Sequence, residues 1–130
     1  MFSLAFFDDY NTLSDNINNQ GRKKMALQHA NDETFAGMIG SGITLVDFWA
    51  TWCGPCRMFG PIFESVSEKI DDVNFIKFEI DDTNRRTPVK YGIRSIPSVL
   101  AFKNGELVEA RTGLMDEETV ITWINELKAS

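Results

Sequence analysis

The run Ile43 to Ala50, ITLVDFWA, constrains this chain more than any other stretch. Its residues leave no polar face, which predicts a strand buried on both sides, the kind found where helices cover both faces of a sheet. Asp47 stands in the middle of it, where an unpaired charge is costly. Directly after the run come Cys53 and Cys56, the only two cysteines in the chain.

The surrounding pattern supplies the rest of an α/β layout. MALQHA, ending at Ala30, suits a weak edge strand, and a short helix starts near Asp32 with Asp32 or Asn31 as its cap. A helix is expected from Cys53 to about Ile70, with Phe59, Ile62, Phe63, Val66 and Ile70 at helical spacing and a kink at Pro61. VNFIKFEI, ending at Ile80, alternates as a strand, with Phe75 and Lys77 on one face and Ile76, Phe78 and Ile80 on the other. A short helix around Thr87 to Tyr91 follows. PSVLAFKNGELVEART then predicts a β-hairpin, because Asn104-Gly105 supplies the two positive φ angles of a type I′ turn. Asp116 caps a last helix, with Val120, Ile124 and Leu127 inward and Met115 placed to staple against Val120. This order implies a mixed five-stranded sheet, parallel crossovers first and an antiparallel hairpin last, with helices on both faces.

At 130 residues, 43% of them hydrophobic and 25% charged, the chain fits one soluble domain with its own core. A formal charge of −6 argues against general nucleic-acid affinity, which needs clustered Lys and Arg. No segment approaches the length of a membrane-spanning helix, so no membrane partner is expected. Residues 1–24 differ from the rest, with an Asn- and Asp-rich segment ending in Arg22-Lys23-Lys24. They are expected to form an N-terminal extension before a domain spanning 25–130. The codons for GRKKM could instead resemble a bacterial ribosome-binding site, which would make Met25 the natural start. MFSLAFF lacks a basic flank and makes a poor signal peptide, so the expected compartment is a reducing cytoplasm.

A Cys-x-x-Cys pair at a strand-to-helix junction allows three readings. Zinc needs about four ligands, and beyond its two cysteines the chain offers only His29, far away in sequence. A structural disulfide closing so short a loop would constrain little unfolded-chain entropy. Reversible dithiol chemistry fits the local geometry. With Cys53 as N-cap, Cys56 falls at the third helical position, within disulfide reach. Pro55 suits the first turn because its missing N–H would have no partner there. The helix N-terminus stabilises a thiolate at Cys53, which makes it the attacking nucleophile. Cys56, expected to be more buried, then resolves the mixed disulfide. Strand alternation puts Asp47 on the face of Leu45 and Trp49, under the returning helix. Burial would raise its pKa and suit it to exchange protons with Cys56. A buried Asp satisfied by hydrogen bonds fits the position equally well.

VDFWATWCGPCRM closely resembles the active-site segment of the thioredoxin family, and the similarity extends over Met25 to Ala129, including YGIRSIPSVLAFKNGE and Thr112-Gly113. The resemblance implies a thioredoxin fold and a protein-disulfide reductase. Carried over residue by residue, it makes Cys53 the nucleophile, Cys56 the resolving thiol and Asp47 the buried proton acceptor. Lys77 matches the family's lysine near that acid. The resemblance also implies a cis bond at Ile96-Pro97 and a flat docking surface of Trp52, Gly54, Pro55, Ile96, Pro97 and Gly113. An extended substrate would add as a strand at Ile96. Ser95, Ser98, Leu114 and Trp123 depart from the most familiar pattern. The implied partners are disulfide-containing proteins and a thioredoxin reductase fed by NADPH; no cofactor is expected on the chain itself, which is expected to be a monomer. Two other classes remain open: a binding module or holdase, and a disulfide oxidase or isomerase.

Overall fold

A computed structural model describes residues 27–130 of the chain. The expected N-terminal extension and the alternative start at Met25 lie outside the described residues, as do the first two residues of the expected edge strand. In chain order the elements are β1 (Leu27–Ala30), α1 (Phe35–Met38), β2 (Ile43–Trp49), α2 (Gly54–Lys69), β3 (Asn74–Glu79), α3 (Arg86–Lys90), β4 (Ser98–Lys103), β5 (Glu106–Thr112) and α4 (Glu117–Ala129).

The strands form one sheet in the order β1-β3-β2-β4-β5. β3 runs parallel to both β1 and β2, while β4 is antiparallel to β2 and β5. The expected ITLVDFWA strand is therefore the central one. Leu45, Val46 and Phe48 in it are fully buried, because helices cover both of its faces.

Alternation along β2 and β3 divides the core in two. Leu45 and Phe75 face α2 and α4, packing with Phe59, Phe63, Val66, Val120, Trp123 and Ile124. Val46, Phe48, Ile76 and Phe78 face the other way, toward Phe35 of α1 and the segment around Tyr91 and Ile93. Phe35 is the hub of that second layer, with ring centroids 5.6 to 6.2 Å from Phe48, Phe78, Tyr91 and Phe102. Each such fully buried side chain stabilises the fold by roughly 1.5–3 kcal/mol, so two layers of aromatics anchor the sheet that carries the cysteines.

The local signals resolve as follows. Asn31 caps the first helical turn, its Oδ1 accepting from the N–H groups of Glu33 and Thr34, and regular α1 begins only at Phe35. Asp32 turns away and accepts instead from the backbone N–H groups of Arg86 and Thr87, tying α1 to the start of α3. α2 continues through Pro61. Asn104 and Gly105 take φ of 51° and 89°, the left-handed pair the hairpin turn requires. Asp116 Oδ1 accepts from Thr119 N, and Met115 packs against the cluster that holds Val120.

Candidate active site

The cysteine pair sits where β2 hands over to α2. Cys53 N–H donates to the Ala50 carbonyl, and the Arg57 guanidinium bonds the Thr51 carbonyl, which together close the turn between strand and helix. Cys53 is the N-cap of α2, with extended φ and ψ of −97° and 111°, and its sulfur accepts from Cys56 N–H at 3.2 Å. Pro55 occupies the first turn. The two Cα atoms are 5.3 Å apart and the pair is disulfide-bonded.

Burial does not separate the two cysteines as expected: Cys53 is 5% exposed and Cys56 4%. Direction separates them. Cys53 opens into a groove of about 550 Å³ that Trp52, Gly54, Pro55 and Ile96 also line. Cys56 opens into a different depression, of about 350 Å³, lined by Trp49, Arg57, Gly60 and Lys77. The two bonded cysteines thus line different depressions, Cys53 beside Ile96 and Cys56 beside Lys77.

Asp47 is 1% exposed, and neither carboxylate oxygen has a hydrogen-bond partner. No backbone or side-chain donor therefore satisfies the buried acid. Burial pushes the carboxyl up to about 7, against the opposing pull of the Lys77 ammonium. Lys77 is its register partner on β3, and the Lys77 Nζ lies 4.7 Å from the Trp49 ring centroid. Gly60 of α2 leaves room for that ammonium, since a Cβ there would come within 3.3 Å of Nζ. Asp47, Lys77 and Cys56 are thereby gathered on the α2 side of the sheet.

The other expected residues meet on the groove side. Ile96-Pro97 is cis, and the Ile96 carbonyl oxygen lies 3.7 Å from Cys53 Sγ. Pro97 is buried beneath the groove rather than lining it. Gly113, with φ of 102°, donates its N–H to the Pro97 carbonyl at 2.8 Å, which attaches it to the same loop. Trp52 is 75% exposed beside Cys53, which fits the docking side chain expected of it. Sequence reasoning missed Ile80, Ile93 and Arg94, which complete the groove wall. Ile80 follows the alternation of β3 and carried a readable signal, whereas Ile93 and Arg94 lie in a loop placed by tertiary contacts alone. Among the described residues, no three His, Cys, Asp or Glu side chains gather as a metal site.

Comparison with known proteins agrees with this geometry. The family model described as Thioredoxin matches residues 26–126. Thioredoxin of Bacillus subtilis (strain 168) is 38% identical over 102 residues, spanning 78% of this chain and 97% of that protein. Thioredoxin of Rickettsia bellii (strain RML369-C) is 51% identical over 82 residues, 62% of this chain and 77% of its own. A chain in the crystal structure of the complex of ferredoxin:thioredoxin reductase with thioredoxin f2 superposes with a TM-score of 0.74 at 25% identity, covering 79% of this chain and 96% of that one.

Proposed function

Since the chain belongs to the thioredoxin family and is a protein-disulfide oxidoreductase, we propose the following roles for its residues. The Cys53 thiolate attacks one sulfur of a substrate disulfide. A Cys53–substrate disulfide forms, and the first substrate sulfur leaves as a thiolate. Cys56, deprotonated, then attacks Cys53 Sγ, forming the Cys53–Cys56 disulfide and releasing the second substrate sulfur. Two electrons pass from the cysteine pair to the substrate, and protons from the two thiols balance the two sulfurs released.

The single observation that carries this reading is that the bonded cysteines line different depressions, Cys53 the groove with Trp52 and Ile96 and Cys56 the one it shares with Lys77. Hydrogen bonding to Cys53 Sγ at the helix N-terminus favours its thiolate. Asp47, near neutrality in its titration, takes the Cys56 proton, and Lys77 tunes the charge of that acid. Trp52, Gly54, Pro55, Ile96 and Gly113 form the docking surface, with Pro97 supporting its loop from beneath, and the Ile96 main chain pairs with an extended substrate segment.

The reaction runs on the two thiols without a bound cofactor. The oxidised chain would be recycled by a thioredoxin reductase drawing on NADPH, in the cytoplasm, with the chain acting as a monomer on disulfide-containing proteins. Reduction of insulin disulfides tests the reading: the chain should catalyse it, and Cys53→Ser should abolish it. A cellular role that survives the Cys53→Ser, Cys56→Ser double change would favour a binding module, and a much less reducing couple would favour an oxidase or isomerase.

A further inference from the structure

Ser98 has no part in the thiol chemistry, yet its hydroxyl is buried at a junction of the docking surface. It is the first residue of β4, directly after Pro97, and only 3% exposed. In the sheet it pairs with Phe48 of β2 on one side and Thr112 of β5 on the other. Its Oγ donates to the Ser95 carbonyl at 2.6 Å and lies 3.1 Å from Thr112 Oγ1. A hydroxyl has one proton to give. With that proton on Ser95, Ser98 must accept from Thr112, so the chain of donors runs Thr112 to Ser98 to Ser95.

That relay spans the two walls of the docking surface. Ser95 opens the loop that carries Ile96, whose carbonyl lies beside Cys53 Sγ. Thr112 precedes Gly113, whose N–H holds the Pro97 carbonyl. The side chain of Ser95 is exposed, so no burial of its own fixes the peptide ahead of Ile96. The buried hydroxyl does.

We propose that Ser98 is a positioning residue for substrate docking, holding the Ser95–Pro97 loop and the Thr112–Gly113 segment at one spacing so that the Ile96 main chain meets an extended substrate in register. This rests on the docking role assigned above to Ile96 and Gly113. A strand added at Ile96 depends on the direction of one peptide group's N–H and C=O. A small disulfide that reaches Cys53 without lying along the loop has no such dependence.

The test uses the full chain and compares insulin, reduced with dithiothreitol as electron donor, with a small aromatic disulfide, 5,5′-dithiobis(2-nitrobenzoate), followed as a single turnover of the pre-reduced chain freed of dithiothreitol, which would itself reduce that disulfide. Ser98→Ala should raise KM for insulin ~5-fold, about the worth of one positioning hydrogen bond, with kcat little changed and the small-disulfide rate preserved. Ser98→Thr, which keeps the hydroxyl, should restore the insulin KM. Thr112→Val, made at an exposed position, should reproduce the selective KM increase and carries the test if Ser98→Ala does not fold. Equal losses on both substrates, or an unchanged insulin KM in Thr112→Val, would overturn the proposal while leaving the reductase assignment intact. Absence of insulin reduction by the unaltered chain would overturn that assignment, and this proposal with it.

Discussion

Asp47 and Lys77 are register partners on adjacent parallel strands, and both oxygens of the buried Asp47 carboxylate nevertheless lack a hydrogen-bond partner. The lysine ammonium lies over the Trp49 ring instead, influencing the acid through space. An acid so placed is held near neutrality by burial and tuned by one cation. The same burial makes it a burden on the fold whenever it is ionised.

The first prediction follows from that burden. The folded-state pKa of Asp47 is raised from 3.8 to about 7, so the folded chain holds a proton that the unfolded chain has lost across that window. Stability should therefore fall as pH rises from about 4 to 7, by on the order of 4 kcal/mol, and level off above it. Asp47→Asn should remove this slope and be the more stable form at pH 8. Urea unfolding of both proteins at pH 5 and pH 8 checks it, and parallel pH dependence in the two would contradict the assignment.

Lys77 lowers the Asp47 pKa through its charge. Lys77→Met should move the Asp47 midpoint upward from about 7, and the pH dependence of mixed-disulfide resolution should move with it. Carbon-13 NMR of the Asp47 carboxyl measures the midpoint directly. A downward shift would place the lysine in some other role.

Asp32 titrates in the opposite sense. Burial alone would raise its pKa, but hydrogen bonds from Thr87 and Arg86 outweigh burial and hold it at about 2. A depressed carboxyl stabilises the fold above its unfolded pKa and loses that contribution as pH falls through the folded one. Acid unfolding of the unaltered chain should thus steepen between about pH 4 and pH 2. Asp32→Asn should be less stable at pH 7 and show less of that acid dependence.

Trp123 is fully buried, donates its indole N–H to Glu109 at 2.7 Å and stacks under the Arg111 guanidinium at 4.6 Å. These contacts clamp α4 onto the edge strand β5, away from the cysteines. Trp123→Phe should cost about 1–3 kcal/mol in unfolding free energy and leave insulin reduction per folded molecule unchanged. A loss of activity larger than the loss of folded protein would contradict a purely architectural role.

The parts legible in the sequence are those set by local chemistry. A continuous apolar run identified β2, alternation identified β3 and its two faces, Asn104-Gly105 specified the hairpin turn, and Cys53-Gly54-Pro55-Cys56 specified the helix start. What stayed hidden depends on residues distant in the chain. Asp32 bonds Arg86 and Thr87, 54 and 55 positions away, so its spacing suggested a local cap that Asn31 in fact supplies. Ile93 and Arg94 join the groove only because the loop before β4 folds back over the helix start. The unequal burial expected for Cys53 and Cys56 failed for a related reason: neighbouring segments cover both sulfurs, and only the direction of opening distinguishes them.

The central claim is that Cys53 attacks and Cys56 resolves, and covalent trapping tests it most directly. Cys56→Ser and Cys53→Ser are each reduced, exposed to a disulfide-bonded peptide and analysed by mass spectrometry without reductant. The structure predicts a stable mixed disulfide on Cys53 in Cys56→Ser, and little or no adduct in Cys53→Ser. Equal or faster capture of the peptide by Cys56 in Cys53→Ser would contradict it.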